Sequence, residues 1–468
     1  MSIELAGILG YILLQVLVGA WFAQRNKTEE DYFLAGRSLG LPLAAFSIFA
    51  TWFGAETCLG SSGIIFSEGL SGSAADPFGY TVCLLLMGLF FATRLWGENL
   101  TTLGDLYKKR CSASVEKLAV IIMIPTSLFW AAAQIRAFGQ VLSASSDLNV
   151  PVAMMIAAGI VISYTVMGGL MADVVTDLVQ GIALVLGLII LLGVLLYNAG
   201  GIETALHAID PAKLSFIPEG GSILGRIESW MIPIVGSLVA QELVARIIAT
   251  RTPRIARNAT LVATGGYLLV GLIPVFIALI AHLFTAPMEH PEQLLPFLAK
   301  QYLPTFLYIL FAGALVAAIL STVDSTLLAV SSLFSHNIVV PLLKNPSEAT
   351  KVRIARITVV AAGLLAFVMA FFSEGIYDLV ETASAFGSSG IFVITVFGLF
   401  TRFGGTKSAV ATLVVGTFSM VIAQSLFEFE APYVFSVAAA FVTYIGTELI
   451  VRYVTPRFMR GSTEGLSA

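Results

Sequence analysis

The stretch of this sequence richest in usable chemistry is Ala317-Ala318-Ile319-Leu320-Ser321-Thr322-Val323-Asp324-Ser325-Thr326. Ala318, Ser321, Thr322 and Ser325 fall at i, i+3, i+4 and i+7, one face of a helix, and Asp324 borders that face. Small side chains permit close approach. The hydroxyls and the carboxylate present oxygen, which hard cations require, and Na⁺ is the hard monovalent cation available. The competing reading is helix packing through small residues, with each hydroxyl turned back onto its own i−4 carbonyl. Asp324 weighs against it, as do other ionisable residues stranded in apolar runs: Glu56, Arg136, Asp173, Asp177, Glu242 and Glu381. Groups of this kind are costly in hydrocarbon, and a set spread over the chain points to an ion or solute path. For Asp173 and Glu381, near the ends of their runs, snorkelling or pairing with a neighbour explains the charge equally well.

Other chemistries find no support. Three cysteines (Cys58, Cys83, Cys111) and four scattered histidines give no metal-ligand spacing. No nucleophile–base pair is evident, so the chain does not read as an enzyme, and no organic cofactor is expected. A net charge of −4 leaves no basic patch for nucleic acid.

The elements that must position these residues are membrane spans. Of 468 residues, 57 % are hydrophobic and 12 % charged, and mean hydropathy is +0.92. So few charges cannot cover a soluble surface. Apolar runs at 3–23, 41–65, 75–97, 115–146, 151–170, 173–198, 228–249, 258–283, 302–336, 353–373, 378–401, 407–426 and 431–454 predict thirteen helices. Thirteen spans of ~20 residues need ~260 apolar residues, about what the composition supplies. The fold class is thus an all-α polytopic membrane protein.

With the N-terminus outside and the C-terminus cytoplasmic, all but Arg136, Lys213, Arg226 and Lys300 of the 25 Lys+Arg fall on the inner side. Arg246 is counted in that inner set. The location expected is the plasma (inner) membrane, and residues 3–23 read as a retained helix, with no basic n-region or cleavage site. The three N-x-[ST] matches lie on the inner side or at a span entrance and are discounted as glycosylation sites.

Two spans carry interruptions. Ala50-Thr51-Trp52-Phe53-Gly54-Ala55-Glu56-Thr57 places glycine and a carboxylate in mid-span, and Pro233, Gly236, Ser237 and Gln241-Glu242 interrupt another. Freed carbonyls at such breaks need a partner. If the spans from 41–65 onward form two sets of five, the breaks fall in the first helix of each. That pattern points to inverted repeats around a midplane site.

These residues resemble the sodium:solute symporter family over nearly the whole chain. Besides the 317–326 string, the resemblance rests on three segments. These are Asp31-Tyr32-Phe33-Leu34-Ala35-Gly36-Arg37, Tyr164-Thr165-Val166-Met167-Gly168-Gly169-Leu170 and Thr176-Asp177-Leu178-Val179-Gln180. It implies the LeuT-like five-plus-five fold: 1–40 an accessory helix and inner loop, 41–200 the first repeat, 228–404 the second, and 405–468 two accessory helices and a short inner tail. It also implies a first Na⁺ site from the carbonyls of Ala50, Phe53 and Ala318 and the hydroxyls of Ser321 and Thr322. A second, found in some members, would fall on Asp177, Ser321, Asp324 and Ser325. Asp324 and Asp173 depart from the family pattern.

Within the family the local resemblance is to the high-affinity choline transporter branch: Ala50-Thr51-Trp52, Pro77-Phe78-Gly79-Tyr80 and Phe129-Trp130-Ala131-Ala132-Ala133, with Asp324-Ser325. That branch holds a quaternary ammonium in an aromatic cage by cation–π attraction. Trp52, Tyr80 and Trp130 fall on three cage positions, while Ala240 stands where the fourth, a tryptophan, is expected. Glu56, Thr57, Gln134, Gln241 and Glu242 complete the candidate solute site.

The reading that follows is a secondary transporter importing a small organic solute with one or two Na⁺ by alternating access. Glu56 and Glu242 favour an amine or quaternary ammonium; Arg136 favours a carboxylate, and a zwitterion such as a betaine or amino acid suits both. Its partners are the bilayer and the solute, and a monomer suffices. The rivals are proton coupling through Asp173, Asp177 and Asp324, and a sensor acting through a partner protein, against which no signalling segment follows Arg460.

Overall fold

A computed structural model describes residues 27–454 apart from 145, 147, 218, 219 and 374, together with Gly7, Gly10, Leu13, Leu17 and Trp21. The span expected at 3–23 therefore lies largely outside the described residues. The described chain is built from helices, with one isolated bridge between Leu39 and Thr250. Among the described residues, eight helices are long and apolar enough to cross a membrane, or up to ten when each bent pair counts as one. Length and apolar composition thus account for fewer spans than the thirteen expected, because several are broken into short helical pieces.

Local chemistry sets the ends. Asn149 accepts from Val152 N with Pro151 in the first turn, and Thr252 caps Ile255 N ahead of Pro253; both satisfy orphan donors at a helix start. The expected spans 151–170 and 173–198 run together as Val150–Asn198 but are separated at Gly169 (φ 67, ψ 173), a backbone conformation open essentially to glycine. Asp173 and Asp177 follow this corner by one and two turns.

Thr305–Phe334 is the central post. Its residues from Phe311 to Leu333 are all buried, as expected of a helix apolar on every side. It packs against Ala113–Ala144, Val150–Asn198 and Glu348–Phe372. Around it three spans are discontinuous. The first runs Leu41–Ala50, a turn at 51–54, the π-helical turns Glu56–Ser61 and then Ser62–Glu68. The second runs Ile223–Met231, Ile232–Gly236 and Ser237–Val239, turns through extended Ala240 (ψ 125) and resumes as Gln241–Ile248, bent by 47°. The third, at 378–401, was expected to be continuous but is bent by 40° at Phe386-Gly387, where Gly387 adopts φ 65.

On the face that carries the basic residues, Asn337 ties Asp105 (3.1 Å) to Glu116 (2.8 Å) and accepts from Thr102 (2.7 Å). Burial works against the Asp105 charge, but hydrogen bonds from His336 and from the backbone of Thr101 and Thr102 hold its carboxyl below the usual aspartate range.

Candidate functional site

The break in the first discontinuous span sits against the central post. Backbone bonds Thr51 N to Ser47 O (3.0 Å) and Phe53 N to Phe49 O (3.4 Å) end its first half, and Cys58 N to Gly54 O (2.9 Å) begins the second. The carbonyls of Ala50 and Phe53 lie between. A Cβ built on Gly54 would stand 3.5 Å from the Ala318 carbonyl carbon and oxygen, so this turn touches Ala318 directly. Ala50, Phe53, Ala318, Ser321 and Thr322 are all buried there. The Thr322 hydroxyl donates to the Ala318 carbonyl at 3.2 Å, leaving its lone pairs available.

One turn away, toward the basic face, lies a carboxylate cluster with a cation inside it. Arg246, counted from the sequence as an inner-loop charge, is instead 0 % exposed in the Gln241–Ile248 helix. Its Nη2 donates to Asp173 Oδ2 (2.7 Å) and to Ser325 Oγ, and lies 3.5 Å from Asp177 Oδ2. Its Nε donates to Ser47 Oγ (2.8 Å), which in turn donates to Asp177 Oδ2 (2.7 Å). Ser321 Oγ donates to Asp177 Oδ1, and Ser325 Oγ contacts Asp173 Oδ2 at 3.0 Å. Asp173 thus does not snorkel. Asp324 stands apart from the guanidinium contacts, hydrogen-bonded by Thr165.

The three expected cage aromatics do converge. Ring centroids are 5.1 Å apart for Trp52–Tyr80, and 6.0 Å for both Trp52–Trp130 and Tyr80–Trp130. Both tryptophan Nε1 atoms are buried without a hydrogen-bond partner. Glu56 and Tyr80 line one narrow crevice of about 10 Å³ with Ser384, Pro233 and Glu381. Both Glu56 carboxylate oxygens are buried and unpartnered. Thr57 Oγ1 donates to Asp76 Oδ2 at 2.6 Å, and Tyr267 OH donates to the same oxygen at 3.1 Å. Asp76 Oδ1 has no partner.

Other expected residues are placed differently. Gln134 is one turn from Trp130, its amide oxygen buried and unpartnered. Gln241 uses its amide oxygen to accept from Leu103 N at 2.8 Å, which anchors the second break to a neighbouring helix. Ala240 lines a separate crevice with Ser127, Gln241 and Phe386. Glu242 lies beside Trp52 and Ser127. Arg136 donates to the Ser373 carbonyl at 2.9 Å, and Glu381 is exposed.

Sequence reasoning missed Asp76, Tyr267, Ser47 and Arg246. Asp76 opens an apolar run and reads as a boundary acid. Arg246 sits four residues after Glu242, within the expected span 228–249, a signal masked by Arg251, Arg254 and Arg257 beyond it.

Comparisons with known proteins bear on the family and the fold. A human protein named high affinity choline transporter 1 is 27 % identical over 454 residues, covering 92 % of this chain and 78 % of its own. The osmoregulated proline transporter OpuE of Bacillus subtilis (strain 168) is 25 % identical over 482 residues, covering 99 % of this chain and 97 % of its own. The solved structure of a Na⁺-coupled sialic acid symporter superposes with a TM-score of 0.83 at 18 % identity, covering 96 % of this chain and 97 % of that one. The likeness in fold places the broken helices in a LeuT-like inverted-repeat transporter. The model of the sodium:solute symporter family matches residues 32–416, and the chain belongs to that family.

Proposed function

We propose that this membrane protein imports a small organic cation, an amine or quaternary ammonium, together with Na⁺. The observation that carries the solute class is the buried Trp52–Tyr80–Trp130 cluster beside Glu56, whose two oxygens have no partner. Three π faces attract a cation, and a buried carboxylate without a counter-charge adds to that attraction. The relatives' names span choline, proline and sialic acid, so membership of the family does not by itself select a solute. The resemblance read from the sequence, which sets Trp52, Tyr80 and Trp130 on three cage positions of the choline branch, favours a cationic solute among these.

For the cation, Na⁺ would sit between the Ala50 and Phe53 carbonyls, the Ala318 carbonyl and the Ser321 and Thr322 hydroxyls. Bridging the first broken span to the central post, it would order the turn that carries Trp52 and Glu56. Solute and ion thereby favour the same conformation, which is the requirement for coupling. On release, the post and the broken span part and both leave on the basic, cytoplasmic side of the plasma membrane.

The test is thermal stability of the detergent-purified protein in Na⁺ against K⁺, with choline, betaines, primary amines, amino acids and sugars. A melting shift by a cationic solute only in Na⁺ is expected. A shift by sugars or acids alone would remove the cation reading. Equal responses in Na⁺ and K⁺ would favour the rival, proton coupling, for which the unpartnered oxygens of Glu56 and Asp76 offer sites.

A further inference from the structure

Arg246 stands among the residues on which the family resemblance would set a second Na⁺, the site found in some members. Three of the four residues expected around a second Na⁺, Asp177, Ser321 and Ser325, instead form a closed network with its guanidinium, joined by Asp173 and Ser47. Each of these side chains is at most 2 % exposed. The donors are spent in matching fashion. One nitrogen serves Asp173 and Ser325, and another reaches Asp177 through the Ser47 hydroxyl, whose own proton points to Asp177 at 2.7 Å. A planar fork of fixed donors suits such a ring of oxygens, and arginine does not surrender its charge when buried.

A Na⁺ coordinated by the same oxygens would share them with a guanidinium at contact distance. Like charges in a low dielectric repel strongly, and the Ser325 hydroxyl and the Asp173 carboxylate already accept from the guanidinium. The donor set therefore does not fit a second sodium while Arg246 is in place.

We propose that the Arg246 guanidinium is a tethered cation filling the second cation seat, so that this transporter binds and moves one Na⁺ where its oxygen set could hold two. A Na⁺ in that seat would balance Asp173 and Asp177 and then dissociate, drawing on the gradient. A guanidinium balances the same charge and cannot leave. The inference concerns only the 173/177/246 cluster, and the figure of one ion rests on the Na⁺ reading for the Ala50–Ala318 site.

Equilibrium ²²Na⁺ binding to the purified full-length protein counts the ions without needing the solute. Wild type should hold one ion per chain, Arg246→Ser two, and Arg246→Lys, which keeps a tethered charge, one. Free guanidinium added to Arg246→Ser should displace the additional ion and return the count to one. Two ions on wild type, or equal counts for wild type and a folded Arg246→Ser, would overturn the proposal. None on wild type with one on Arg246→Ser would leave the tethered cation standing and remove the first-site reading instead; none on either would remove both. Should Arg246→Ser fail to fold, the wild-type count decides, together with Arg246→Lys, in which a count of two would overturn the proposal.

Discussion

At Trp52 two attractions meet, the π face turned toward Tyr80 and Trp130 and the charge of Glu56 nearby. Cation–π contacts contribute ~0.5–2 kcal/mol each, the upper end when desolvated, so Trp52→Ala should raise the half-saturation concentration roughly 2- to 30-fold in uptake assays. Trp52→Phe should recover part of it, because the ring face remains. An unaltered value in Trp52→Ala would take the rings out of solute binding. Glu56→Gln separates charge from shape: it should weaken a cationic solute and leave a neutral one unchanged. The Na⁺ oxygens can be tested in the same way. Ser321→Ala with Thr322→Ala should move the Na⁺ activation curve to higher concentration with little loss of melting temperature. Wild-type activation in that double variant would sink the first site. These residue types were legible from sequence because carboxylates within apolar runs are rare. Asp76 and Arg246 were not, because each lies near a run's end, where charge is ordinary.

The helices position these side chains only because three of them fail to be continuous. Apolar runs made the spans legible, and the Gly54–Glu56 and Pro233–Glu242 breaks were readable because a carboxylate accompanies the glycine. The third break, at Phe386-Gly387, has Glu381 six residues before Gly387, but that residue reads as a charge near the end of its run. Glycine and serine are enriched where membrane helices pack, so Gly387-Ser388-Ser389-Gly390 does not stand out. This hidden break has a contact that can be probed. A Cβ on Gly236 would come within 2.0 Å of the Ser384 carbonyl oxygen, and Ser384 also meets Tyr80 (3.4 Å) and Ser237 (3.3 Å) through its hydroxyl. Gly236→Ala must push the second and third broken spans apart. Overpacking of this kind costs about 1–3 kcal/mol, so a lowered melting temperature is expected, with solute affinity falling as the Tyr80 side of the site shifts. Gly97→Ala, with open space around it, is the control. A Gly236→Ala protein as stable and as active as that control would show that the two breaks are not in rigid contact.

For the molecule as a whole, buried charge sets how much work the membrane potential can do. Each elementary charge crossing the membrane is worth ~2.3 kcal/mol per 100 mV. If Arg246 is the resident cation and one Na⁺ travels with a monovalent organic cation, two charges cross per cycle. That is about 4.6 kcal/mol per 100 mV, enough for roughly 10³-fold accumulation from the potential alone. A zwitterion with one Na⁺ would carry a single charge and reach roughly 50-fold. A cation with two Na⁺ would carry three. Proteoliposomes with an imposed K⁺ diffusion potential separate these cases, since at a fixed Na⁺ gradient the solute gradient that just halts net uptake at each voltage gives the charge carried per solute. The expected slope is two charges for a cationic solute. Three would return the second seat to Na⁺. A single charge with a confirmed cationic solute would mean that no Na⁺ accompanies it, and the first site would lose its role in coupling. Arg246→Ser, if it transports, should steepen the slope by one charge, because the cation that it admits is free to leave with the solute.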